Sequence, residues 1–288
     1  TRLLSSSMLG DLKDLRSLIK MGADVNQSNE ADGSTPLFIA SQYGQLKVVR
    51  LLIESGGSVN QAHNTGATPL YMASQEAYLE IVRLLIESGA SVNQALDSGA
   101  TPLYVACQRG HLEIAKLLIE SGGSVNQVRD TGASPMLIAS QNGHLEIVKL
   151  LMESGGSVNL ANDGEASPLY VASQNGHLEV VKLLIESGGS VNQAYDTGST
   201  PLWTACQRGH LDIVRLLIES GGSVNHAQDS GATPLHIASQ EGHLDIVRLL
   251  IESGGSVNQA EDTGASPLYI ASQQGHLDIV RLLIESGG

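Results

Sequence analysis

GATPLHIASQEGHLDIVRLLIESGGSVN, residues Gly231 to Asn258, recurs in near copies along the whole chain, and its reading decides the fold. All eight prolines share one register: Pro36, Pro69, Pro102, Pro135, Pro168, Pro201, Pro234 and Pro267 each lie 33 residues from the next. A fixed period of this length marks a stacked solenoid, in which each unit buries its apolar side only against its neighbours. A chain of 288 residues would otherwise suggest about two globular domains. No linker, charge run or change of composition interrupts the register, so the expectation is a single repeat domain over 1–288. It comprises a degenerate first repeat at 1–31 and eight repeats over 32–288, nine in all.

Within the unit, Thr233 is placed to cap a first helix through its hydroxyl. Pro234 takes the first helical position, where a missing N–H costs nothing. Ser134, Ser167 and Ser266 stand in for the threonine elsewhere. Leu235, Ile237 and Ala238 face a core, and Gly242 supplies the left-handed residue that ends the helix. Leu244, Ile246, Val247, Leu249, Leu250 and Ile251 then form the apolar stripe of a second helix, closed by Gly254 and Gly255.

These residues, with His236, His243, Val257 and Asn258, resemble the ankyrin repeat pattern G-x-T-P-L-H-x-A, G-H, V-x-L-L, G-A-x-V-N over practically the whole chain. The resemblance implies an all-α repeat solenoid. Paired antiparallel helices with β-hairpin loops would stack into a curved array that binds other proteins on its concave face.

Composition narrows the partners. The formal net charge of −14 disfavours nucleic acid and anionic membranes, both of which call for basic surface. Much of the acidity has a plain source, the glutamate column from Glu54 to Glu285 that repeats one solvent-facing position of the second helix. The two cysteines, Cys107 and Cys206, occupy the same place in units three periods apart, which is no disulfide framework and favours a reducing compartment. No apolar run approaches the roughly 20 residues a bilayer-spanning helix needs, and residues 1–30 lack a signal-peptide pattern. Cytoplasm or nucleus is the expected location.

Four stretches depart from the unit. The first repeat has no Thr-Pro-Leu turn, although Leu12, Leu15, Leu18 and Ile19 still read as a second helix. Ala77 and Tyr78 replace the Gly-His of the inter-helix turn, so either that turn differs or Ala77 takes an unfavourable left-handed conformation. In Asn162-Asp163-Gly164-Glu165 the loop glycine comes one place early, which predicts an altered loop tip. The last repeat ends in an apolar helix with no polar repeat after it. Solenoids use such caps for solubility, so the expectation is a piece of a longer protein, or end-to-end self-association through this C-terminal face.

Because the frame scarcely varies, the positions that do vary carry the information. Six residues before each proline stand Glu30, His63, Leu96, Arg129, Asn162, Tyr195, Gln228 and Glu261. The ankyrin pattern usually holds an aspartate there. Seven after each proline stand Tyr43, Glu76, Arg109, Asn142, Asn175, Arg208, Glu241 and Gln274. Variation at these places on a constant frame is what a binding surface would show, with neutral drift at exposed sites as the competing reading. A third column, two after proline, runs Phe38, Tyr71, Tyr104, Leu137, Tyr170, Trp203, His236 and Tyr269. Its bulk points first to packing between repeats. The richest surface is expected where Tyr170, Tyr195, Trp203 and Arg208 meet, since interface anchors favour Trp, Tyr and Arg. Arg109 and Arg129 add a basic spot and point to an acidic or mixed-charge peptide. The invariant glutamines from Gln42 to Gln273 either bond an extended peptide or, as favoured here, serve the frame.

No chemistry stands out. The histidines from His111 to His276 recur one per repeat and read as turn-fixing residues, since helices about 8–10 Å apart keep two of them from sharing a metal. Cys107 with His111, and Cys206 with His210, could supply two zinc ligands each, but a structural site needs four. No catalytic triad order, P-loop or nucleotide fingerprint is present, and no cofactor is expected. The asparagines from Asn26 to Asn258 read as loop-ordering residues, while the ankyrin resemblance makes them candidate hydroxylation sites. The functional expectation is a non-enzymatic protein-binding scaffold, the alternatives being a structural spacer within a larger protein or an engineered binder.

Overall fold

The computed structural model describes residues 2–288 and divides into two compact units, residues 1–138 with 149–156 and residues 139–148 with 157–288. Eighteen helices run through the described residues, paired one repeat at a time, with no strand among them. In the first unit the pairs are α1 (Arg2–Leu9) with α2 (Leu12–Lys20), α3 (Pro36–Gln42) with α4 (Leu46–Glu54), α5 (Pro69–Gln75) with α6 (Leu79–Glu87), and α7 (Pro102–Arg109) with α8 (Leu112–Glu120). The residues of α9 (Pro135–Gln141) and α10 (Leu145–Glu153) are divided between the two units. In the second unit the pairs are α11 (Pro168–Asn175) with α12 (Leu178–Glu186), α13 (Pro201–Arg208) with α14 (Leu211–Glu219), α15 (Pro234–Glu241) with α16 (Leu244–Glu252), and α17 (Pro267–Gln274) with α18 (Leu277–Glu285). Within each unit, first helices pack on first helices and second on second, so the core is a pair of continuous layers.

The local chemistry follows the unit. Thr233 accepts a hydrogen bond from the backbone N–H of His236 at 3.2 Å, Pro234 opens α15, and Gly242 closes it at φ 83°. Leu235, Ala238, Val247 and Leu250 are fully buried, with Ile237 and Ile246 nearly so. The loops between repeats close like hairpins without forming strands: His63 N–H donates to the Ala67 carbonyl at 2.8 Å. Within each unit a loop also donates to the one before it, as Asp97 N–H does to the Thr65 carbonyl at 3.0 Å and Asp229 N–H to Thr197 at 3.0 Å.

Two tethers join successive repeats. Six asparagines of the Val-Asn ladder span the gap with both ends of the amide: Asn60 Nδ2 donates to the Gly89 carbonyl at 3.1 Å, and Asn60 Oδ1 accepts from Ser91 N–H at 2.7 Å. Asn26, Asn93, Asn159, Asn192 and Asn225 do the same. Only a side chain with one donor and one acceptor end fits, which excludes aspartate. The second tether is the histidine of the inter-helix turn, whose Nε2 reaches back to a glutamine carbonyl of the preceding repeat, as His210 does to Gln174 at 3.2 Å. The histidines therefore fix more than their own turn; the acceptor is a backbone carbonyl, so this bond does not use the glutamine side chain.

The irregular stretches resolve simply. The first repeat does possess a first helix, α1, begun without Thr-Pro. Ala77 takes the left-handed conformation at φ 65°, so the turn keeps its shape. Glu165 does likewise at φ 64°: the loop's left-handed slot stays where it is in every repeat, and the glutamate fills it. Asn162 Oδ1 holds this loop by accepting from the N–H groups of Gly164 and Ala166 at 3.2 and 2.9 Å.

Asp14 and Ser17 stand in α2 where α4 has Val48 and Leu51, and Asp14 is engaged by Arg2 and Ser6. That pairing, Arg2 first and Ser6 second, holds the Asp14 carboxyl below the usual range. In the last repeat Tyr269, Leu277 and Ile284 are 59%, 65% and 57% exposed. No helix among the described residues is long and apolar enough to cross a membrane.

Candidate functional site

The three variable columns behave differently. The column seven after proline lies at or just past the end of each first helix and is exposed in every repeat, from Tyr43 to Gln274. It holds Arg109, Asn142, Asn175, Arg208 and Glu241, with local bonds such as Asn175 Nδ2 to the Val171 carbonyl at 2.7 Å and Gln240 Nε2 to Glu241 at 3.2 Å.

The column two after proline is interior. Phe38, Tyr71, Tyr104, Tyr170, Trp203 and His236 are all buried. Tyr269 gives the contrast: it is 59% exposed where Tyr170, stacked under Tyr195, is 7%. Trp203 is pinned as well as buried, its Nε1 donating to the Ala232 carbonyl at 3.0 Å. His236 is buried with Nδ1 unpartnered, and that burial pushes its pKa below the ordinary histidine value, against the pull of Glu261. Burial likewise raises the phenols of Tyr71 and Tyr170.

The column six before proline supplies the covers. His63 stacks on Phe38 with ring centroids 5.1 Å apart, Tyr195 on Tyr170 at 5.2 Å, and the Arg129 guanidinium lies over the Tyr104 ring at 5.7 Å. Leu96 is half-buried at the same station. Gln228 accepts from Ser199 Oγ at 3.1 Å and donates to Ser230 Oγ at 2.9 Å. The tip residue of one repeat thus closes over the ring of the repeat before it. These two columns form one ridge, a pairing that single-column comparison could not reveal.

Of the four residues expected to form the richest surface, Tyr170 and Tyr195 do stack, and the Arg208 charge is felt at the Tyr170 phenol. Trp203 lies beneath the next loop and contributes to the frame. The accessible part is therefore Tyr195 with Arg208.

Cys107 and Cys206 are free and fully buried, and burial pushes both thiols far up, which leaves them unreactive as nucleophiles. Among the described residues no group of three or more His, Cys, Asp or Glu is placed to hold a metal.

A family model described as ankyrin repeats (3 copies) matches residues 3–96, 92–162, 157–229 and 221–288. No curated protein matches the chain.

Proposed function

Because the chain belongs to the ankyrin repeat family, whose repeats mediate protein–protein interaction in general and whose fold is typically a non-enzymatic scaffold, we propose that it binds a protein or extended peptide on the first-helix and loop surface. This is the face that is concave in the family. The observation that carries the reading is the column seven after proline, exposed in every repeat and occupied by Tyr, Glu, Arg, Asn and Gln on a frame that hardly changes. Around Arg109, Arg129 and Arg208 the surface favours an acidic or mixed-charge partner. Hydrogen exchange on the captured complex tests the placement. Slowed exchange is expected at loop tips and first-helix ends, and protection confined to the outer side of the second helices would reject it.

A further inference from the structure

The positive charge of this acidic chain is distributed with a pattern. Of its 16 lysines and arginines, eight form one column on the second helices from Arg50 to Arg281, and five lie at or before Lys47. The three left, Arg109, Arg129 and Arg208, all fall in the variable columns. Two of them belong to neighbouring stations of the first unit. Arg129, in the loop before α9, lies flat over Tyr104, and Arg109 is the last residue of α7.

Neither is neutralised. Among the described residues, no carboxylate lies within 4 Å of either guanidinium, and Glu76, the acidic residue of the adjoining repeat's column, is bonded instead by Gln75 Nε2 at 2.7 Å. Stacking on Tyr104 orients the Arg129 guanidinium, and because its Nε is buried, a bound anion would be met by the terminal nitrogens. A planar guanidinium with free terminal N–H groups matches a carboxylate or phosphoryl oxygen. Both charges are felt at the Tyr71 phenol of α5, where they oppose the upward push of burial. Both arginines therefore act on the one station where the buried Tyr71 and Tyr104 rings lie.

We infer that Arg129, oriented by Tyr104, and Arg109 beside it form a seat for an anionic side chain of the bound partner. The inference rests on the binding role proposed above and adds the chemistry of one contact. The source of the anion is an acidic residue or a phosphorylated one, and the two differ in charge.

The test uses the full chain with 15N-labelled arginine, following Nε–H signals by NMR during titration with phenyl phosphate, with phenylacetate as the carboxylate arm and benzylamine as a cationic control. Saturable shifts are expected at Arg129 and Arg109 with the anions, absent with benzylamine and absent at Arg50 of the frame. Tighter binding of the phosphate by about tenfold assigns a phosphorylated side chain, and equal binding assigns an acidic one. Arg109→Gln, an exposed substitution that leaves the stack untouched, should weaken the anion at Arg129 several-fold. Shifts spread evenly over all arginines, or none at Arg129, overturn the inference. If a partner is still held by the exposed column in that case, the binding role stands without the anion seat.

Discussion

Ala77 offers the sharpest test of how the frame is built. Every other inter-helix turn from Gly10 to Gly275 uses glycine at a positive φ, and Ala77 holds the same shape at φ 65°. A left-handed L-residue costs about 1–2 kcal/mol, while glycine's extra freedom in the unfolded chain takes back about 0.4–1 kcal/mol. Ala77→Gly should therefore stabilise its repeat by roughly 0.5–1 kcal/mol. The reverse change is harsher. At Gly176 an added methyl would sit 2.8 Å from His210 Cε1, on top of the conformational cost, so Gly176→Ala should destabilise by about 1–3 kcal/mol. In a repeat array stability is a sum of local terms, so native-state hydrogen exchange is the fitting assay. Amides of α5 and α6 should exchange about three- to fivefold more slowly in Ala77→Gly. Faster exchange there, or an improvement in Gly176→Ala, would refute the argument.

Other consequences follow from the tethers and the buried ring column. Asn93→Ala removes bonds of 2.9 and 2.8 Å to the next repeat and should cost about 1–3 kcal/mol by chemical denaturation. Asn93→Asp should also destabilise, since its second oxygen would face the Gly122 carbonyl. His236 is neutral by preference in the folded chain, so the unfolded chain binds more protons, and its contribution is lost as pH falls below about 6.5. His236→Tyr, the residue this column carries in other repeats, should flatten the stability profile between about pH 7 and 5. Trp203→Ala should cost about 3–5 kcal/mol, visible in thermal melts, so any loss of binding in that variant reflects the frame.

Much of this structure is legible in the residues themselves. Proline at a constant period, a Thr or Ser before it and glycine after it place each first helix, and the apolar stripe places the second. The odd residue in the Gly-His slot marks Ala77, and the early glycine marks the loop at Glu165. What stays hidden depends on the neighbouring repeat. The bonds of Asn60 run to Gly89 and Ser91, some thirty residues away, and nothing within one repeat announces them. Whether Trp203 or Tyr269 is accessible depends on whether another loop closes over it. The pairing of Phe38 with His63, or of Tyr104 with Arg129, likewise joins columns that the sequence presents as independent. The first helix of the first repeat is unmarked in the sequence, because α1 lacks the Thr-Pro or Ser-Pro start of all the other first helices.

The central claim is that frame and recognition are separable, with recognition carried by the exposed column. It is tested most directly by one variant, Tyr43→Ala, Arg109→Ala, Asn142→Ala, Asn175→Ala, Arg208→Ala and Glu241→Ala combined, whose melting curve and affinity for a captured partner are measured together. Exchange at exposed sites changes stability little. The expected result is a melt close to the parent's with binding reduced at least a hundredfold, while Arg50→Ala with Arg83→Ala on the second helices leaves binding intact. Undiminished affinity in the column variant, or equal loss in the second-helix variant, would contradict the account.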